Sequence, residues 1–130
     1  EQKVNTNIKS TIINDYLFSI TMNGFLTIID SKNGNLIRAT DIFSFLRKKN
    51  RKNLITGKII KSKEKIEPVG FIVGIKNLYV TTNTGRLLTV SIKTGKTQSV
   101  FKIDNGKISK PFIMNKNLFL ATDNSIIKLN

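Results

Sequence analysis

Leu17-Phe18-Ser19-Ile20-Thr21-Met22-Asn23-Gly24-Phe25-Leu26 decides the fold of this chain, because the pattern occurs three times. Its second copy, 61 residues on, is Leu78-Tyr79-Val80-Thr81-Thr82-Asn83-Thr84-Gly85-Arg86-Leu87. The third follows after 40 more, as Leu118-Phe119-Leu120-Ala121-Thr122-Asp123-Asn124-Ser125-Ile126-Ile127. Each copy is a run rich in aromatic and β-branched residues, then a polar turn, then a second apolar run. Asn and Gly in the first two turns tolerate the positive φ that a tight hairpin demands.

Strand signals continue on both sides of each copy. Thr11-Ile12-Ile13 ends in the turn pair Asn14-Asp15. Tyr16 to Thr21 and Phe25 to Ile29 read as strands, Asp30-Ser31-Lys32-Asn33-Gly34 as a turn, and Asn35 to Ala39 leaves it extended. The second unit repeats the order. Val69 to Ile75, Leu78 to Thr82, Arg86 to Ile92 and Lys96 to Ile103 are its strands, with turns at Lys76-Asn77, Asn83-Thr84-Gly85 and Lys93-Thr94-Gly95. The third runs Lys107 to Met114, Asn117 to Thr122 and Ser125 to Leu129, and lacks a final strand. Short hairpin-linked strands recurring at a period of about 40 residues mark β-propeller blades. The expected fold class is all-β: blades of four-stranded antiparallel sheets, about three of them. They form a single partial propeller domain over 1–130, with units at about 8–40, 66–104 and 107–130. Adjacent apolar pairs, Ile28-Ile29 and Leu87-Leu88, predict central strands buried on both faces. Propellers have about four to eight blades. Three blades therefore predict part of a longer chain or a homo-oligomer that completes the ring.

The formal charge is +14, from 22 basic and 8 acidic residues, which favours anionic partners. Abundant Lys, Asn and Ile would also spread lysine over the surface without a role. Cysteine and histidine are both absent. That removes disulfides, thiolate nucleophiles and the commonest general base and metal ligand. No run of about 18 apolar residues occurs, so no membrane-spanning helix is expected. The start, Glu1-Gln2-Lys3-Val4-Asn5, has no basic-then-apolar leader and reads like a cut point.

One stretch, about 41–65, breaks the period and reads as a basic insertion. Its opening, Asp41 to Lys49, reads as a short helix capped by Asp41, with Ile42, Phe45 and Leu46 on one face; a strand is the alternative. Leu54 to Ile60 reads as a small hairpin. Residues 47–65 hold nine Lys/Arg and one acid, Glu64. Arg47, Lys48, Lys49, Arg51 and Lys52 are the candidate contacts to an anionic partner: anionic lipid, lipopolysaccharide or an acidic protein loop. Nucleic acid is disfavoured, because no aromatic residue lies inside the cluster for base stacking.

The turn spacing is sharper than that of generic hairpins. Gly24, Leu26, Asp30 and Gly34 stand at the same relative positions as Gly85, Leu87, Ser91 and Gly95. This resembles the repeat of the pyrroloquinoline-quinone-like propellers, Gly-x-Leu, an Asp, then Thr-Gly. WD-type blades share the length but carry Gly-His and Trp-Asp signatures, and this chain has neither Trp nor His. It also departs from the quinone-like pattern, which places a Trp shortly after the Thr-Gly; Leu36-Ile37 and Gln98-Ser99-Val100-Phe101 stand there instead.

The resemblance implies two functional branches. Quinoprotein dehydrogenases bind the quinone and calcium in the central funnel through an Asp base, carboxylates and a stacking Trp. This chain has no Trp, and Asp15, Asp30 and Asp123 lie beside turns, where Asp is a turn former. Asp30-x-x-Asn33-Gly34 likewise reads as a turn rather than a metal loop. The other branch resembles the non-catalytic assembly lipoprotein of Gram-negative outer membranes. On that likeness the expectation is a non-catalytic protein-binding scaffold of the periplasm or cell envelope, with no cofactor and no metal; the cytoplasm stays open. The alternatives are a fragment of a quinoprotein dehydrogenase-like enzyme, or a module that binds an anionic surface through its insertion. Phe18, Tyr79 and Phe119 recur at one blade position, which predicts core packing rather than a ligand platform.

Overall fold

The computed structural model describes residues 6–47 and 65–129, and the fold is a run of β-propeller blades. Eleven strands form three antiparallel sheets among the described residues. The first sheet holds β1 (Thr11–Ile13), β2 (Tyr16–Ile20), β3 (Phe25–Asp30) and β4 (Leu36–Asp41) in chain order. The second holds β5 (Pro68–Val73), β6 (Asn77–Thr82), β7 (Arg86–Ser91) and β8 (Thr97–Lys102), also in order. The third has three strands, β9 (Phe112–Met114), β10 (Asn117–Ala121) and β11 (Ile126–Leu129).

Strand alternation sorts side chains to the two faces of each sheet. The apolar pairs split as expected. Leu88 joins a core cluster shared by the first two sheets, and Leu87 joins one shared by the second and third. The first cluster includes Phe18, Ile20, Leu26 and Ile28 from sheet one and Phe71, Leu78, Val80, Leu88 and Val90 from sheet two. The second is built on Leu87, Ile108 and Leu120. The middle sheet therefore has both faces buried.

The turns obey the local chemistry read from the sequence. Asp30 Oδ1 accepts a hydrogen bond from Lys32 N at 2.9 Å, and Ser91 Oγ accepts one from Thr94 N at 3.3 Å. Gly24 and Gly85 both have positive φ, +84° and +72°. Both are also pressed by the chain that leaves the blade. A Cβ on Gly24 would lie 2.2 Å from the Phe43 ring, and one on Gly85 would lie 2.1 Å from the Asp104 carbonyl. The Gly24 carbonyl accepts from Ile42 N at 2.9 Å, as the Gly85 carbonyl does from Ile103 N at 2.8 Å. The repeat thus extends to the loops.

Three sequence expectations need correction. Phe45 does not share the buried face of the insertion's first turn; it is 59% exposed, while Ile42, Phe43 and Leu46 are buried. Asp41 still belongs to β4, and its Oδ1 accepts from Phe43 N at 3.0 Å. Helical geometry begins only at residue 44, so Ile42 and Phe43 enter the core from the turn ahead of it. Second, β9 starts at Phe112 rather than Lys107, because Pro111 has no N–H for the ladder. Third, the last hairpin turn is one residue shorter than its sisters. Ala121 pairs with Ile126, whereas Thr81 pairs with Leu87 and Ile20 with Leu26. The register places Ile126, not Ile127, at the position of Leu26 and Leu87. The shorter loop closes with a Thr122 N to Ser125 O bond at 2.8 Å and contains no glycine. The expected hairpin at Leu54 to Ile60 lies outside the described residues.

Candidate functional site

The two junctions between sheets differ in their outer strands. At the first, Arg38 on β4 donates to the carbonyls of Lys93 (2.7 Å) and Thr94 (2.8 Å). Thr40 Oγ1 donates to Gly95 O, and Thr97 Oγ1 donates to Ile42 O, each at 2.8 Å. These bonds clamp β4 to the β7–β8 turn.

The pairing registers locate the same positions in sheet two. Arg38 stands opposite Ile28 as Ser99 stands opposite Thr89, and Thr40 stands opposite Leu26 as Phe101 stands opposite Leu87. The polar clamp is therefore replaced by Ser99 and Phe101. Phe101 is 57% exposed, and it lines an open cleft of about 540 Å³ between sheets two and three. Tyr79, Leu87, Leu118 and Leu129 form apolar walls of that cleft, and the exposed Lys102 and Lys116 also line it. No acidic residue does so.

The outward faces of the first and third sheets also differ. Where sheet two presents Phe71, Val80 and Leu88 to its predecessor, sheet one has Ser10, Ser19 and Thr27. Ser10 and Ser19 hydrogen-bond through their hydroxyls, and Thr27 Oγ1 donates to Ser19 O. Sheet three instead presents Phe112 stacked on Phe119, ring centroids 5.7 Å apart, beside Ile126, which is 71% exposed. The three recurrent aromatics thus take different surroundings. Phe18 is buried in the first cluster, Tyr79 packs partly buried on the second, and Phe119 lies on this open face.

Asp15, Asp30, Asp41, Glu67 and Asp104 have local partners for their carboxylates. Asp15 pairs with Lys32 at 3.1 Å, and Glu67 with Lys65 at 3.7 Å. Asp30 and Asp41 cap turns as above, and Asp104 Oδ1 accepts from Asn105 N at 2.7 Å. Among the described residues, no group of three or more His, Cys, Asp or Glu side chains could hold a metal ion. Of the basic candidates, Arg47 bridges the Asn23 carbonyl, at 3.2 Å, and the Asp41 carboxylate. Lys48, Lys49, Arg51 and Lys52 lie outside the described residues. The repeat-turn residues Gly24, Asp30, Gly34, Gly85, Ser91 and Gly95 all sit at the β2–β3 and β3–β4 turns and their sheet-two equivalents.

The chain resembles solved propellers of several kinds. One is the quinohemoprotein alcohol dehydrogenase ADHIIG of Pseudomonas putida, at TM-score 0.60 and 15% identity, covering 92% of this chain and 17% of that one. Another is Sqt1 of Saccharomyces cerevisiae, at TM-score 0.61 and 14% identity, covering 88% of this chain and 28% of that one. A third is the WD40 propeller domain of Doa1, at TM-score 0.60 and 10% identity, covering 92% and 34%. The chain therefore spans about a third or less of each of these solved chains. Identities this low carry the fold alone. No family model matches the chain, and no curated protein matches it in sequence.

Proposed function

We propose that this chain is a non-catalytic protein-binding propeller module that acts as a scaffold. The observation that carries the reading is the division of labour among side chains. The carboxylates described above serve turns or exposed ion pairs, whereas large apolar side chains, among them Leu36, Ile37 and Ile75, stand exposed on the first two sheets and their loops. Exposed apolar surface of this kind suits a protein partner. The absence of Trp and Cys from the sequence argues in the same direction, since quinone stacking in the dehydrogenase branch relies on Trp. On the resemblance to the outer-membrane assembly propeller, the reading places the module in the periplasm or cell envelope, where its partners are β-barrel precursors.

Calorimetric titration at near-physiological salt tests this, using alternating-pattern peptides from outer-membrane β-barrels and a polyanion series beside them. Saturable peptide binding that survives salt is the expected result. Binding to polyanion alone, fading steeply with salt, moves the function to the basic insertion and overturns the scaffold reading. Saturable binding of pyrroloquinoline quinone overturns it in favour of the enzyme.

A further inference from the structure

We infer that the rim of sheet two holds a docking groove for an acidic segment of a partner protein that also carries a large apolar side chain. The inference rests on the protein-binding reading above and names where such a module binds and what it takes. Two matched corners carry it, one in sheet one and one in sheet two, 61 residues apart in the chain. In each, the turn between the first two strands meets the turn between the last two. The backbones agree. Ser31 N donates to Asp15 O at 2.8 Å, and Ile92 N donates to Lys76 O at 3.0 Å. The side chains do not agree. Sheet one has Asn14, Asp15, Ser31 and Lys32 where sheet two has Ile75, Lys76, Ile92 and Lys93. The first corner satisfies itself. Asp15 pairs with Lys32 at 3.1 Å, and Ser31 Oγ donates to Asp15 O at 2.9 Å. In the second corner two lysines occupy the positions of that ion pair, and among the described residues neither has an acidic partner.

Ile75 has no role in the fold itself. A two-residue hairpin turn favours Asn or Gly at its tip, where φ is positive. The sister turns comply, with Asn14 at +52° and Asn115 at +50°. Ile75 is β-branched, does not take positive φ and is 98% exposed, so it serves neither the turn nor a core. With Ile92 it lines a groove of about 480 Å³ between the two turns, where Lys76, Lys93, Asn77 and Gln98 also stand and no acidic residue does. All of these residues belong to sheet two, which has sheet one on one face and sheet three on the other. An apolar side chain of the partner would pack on the two isoleucines. Its carboxylates would supply to Lys76 and Lys93 what Asp15 supplies to Lys32. Asn77 and Gln98 add amide donors and acceptors for the partner's backbone. A concave site of this size suits a protruding protein segment, whereas a bilayer presents a flat face.

The test is selection of peptides from a random phage-displayed library on the whole chain at near-physiological salt, followed by NMR titration with the peptides recovered. The expected peptides place Asp or Glu beside a large apolar residue and shift the amides of Ile75, Lys76, Ile92 and Lys93. The double variant Ile75→Asn with Lys76→Asp rebuilds the corner of sheet one. It should weaken binding about tenfold or more. Its melting temperature should stay level or rise, because the turn gains a residue suited to it and Lys93 gains a partner. Lys32→Gln, on the matched corner, should bind as the parent does. Peptides that bind the double variant equally well, or that carry no acidic residue, overturn the groove while leaving the protein-binding reading intact. A lower melting temperature in the double variant would make Ile75 a structural residue and overturn the proposal. Recovery of no peptide overturns it as well, and binding of heparin or of phosphatidylglycerol vesicles in place of peptide overturns the protein-binding reading with it.

Discussion

The junction between sheets one and two and the junction between sheets two and three are built from one repeat, yet they hold together by different means. The first gathers twelve buried side chains among the described residues, against three at the second. Ile42, Phe43 and Leu46, from the segment that leaves β4, are buried in the first core, whereas from the segment that leaves β8 Ile108 is buried in the second and Ile103 packs partly buried against it. The first is also clamped on its outer side by Arg38, Thr40 and Thr97, where the second is open. A repeat can thus keep its turns and registers while shifting its stability toward one end.

The largest way to break this asymmetry is Phe43→Ala. The ring is fully buried and packs against Gly24, so its loss should destabilise the first junction by about 4 kcal/mol, measured by urea denaturation. Leu120→Ala should cost about 2–3 kcal/mol locally. Hydrogen exchange should quicken in β9 to β11 while the amides of Val80 and Leu88 keep their protection. If Leu120→Ala instead accelerates exchange in all sheets equally, the junctions are not independent. Arg38→Ala removes two hydrogen bonds from an exposed guanidinium and should cost about 1 kcal/mol. Its counterpart Ser99→Ala should stay within about 0.5 kcal/mol of the parent. Equal effects from these two, in the same denaturation assay, would remove the distinction between clamped and open outer strands. Asp30→Ala, which deletes one turn cap, should cost about 0.5–1 kcal/mol in thermal unfolding.

Most of the fold was legible in the sequence because propeller blades are local. Each strand is joined to the next by a short turn, and Gly24, Gly85, Asp30 and Ser91 mark those turns with residues that have a backbone reason to be there. Two of the corrections also had visible cues. Pro111 interrupts the apolar run that starts β9, and the third hairpin has no glycine where its sisters have one. Phe43 was harder to read, since Phe43 and Phe45 are alike in composition and only the start of the helical turn decides which is buried. The cleft was not legible. Tyr79, Phe101 and Leu129 are far apart in the chain and meet only through the packing of two sheets. The grip of Arg38 on carbonyls 55 and 56 residues away is equally non-local.

Native-state hydrogen exchange across the whole chain tests the central claim most directly. The account predicts two levels of protection. The amides of β2, β3, β6 and β7 should open only with global unfolding, and those of β9, β10 and β11 should open at lower free energy, independently of the rest. A single cooperative opening, with β10 as protected as β6, would contradict it.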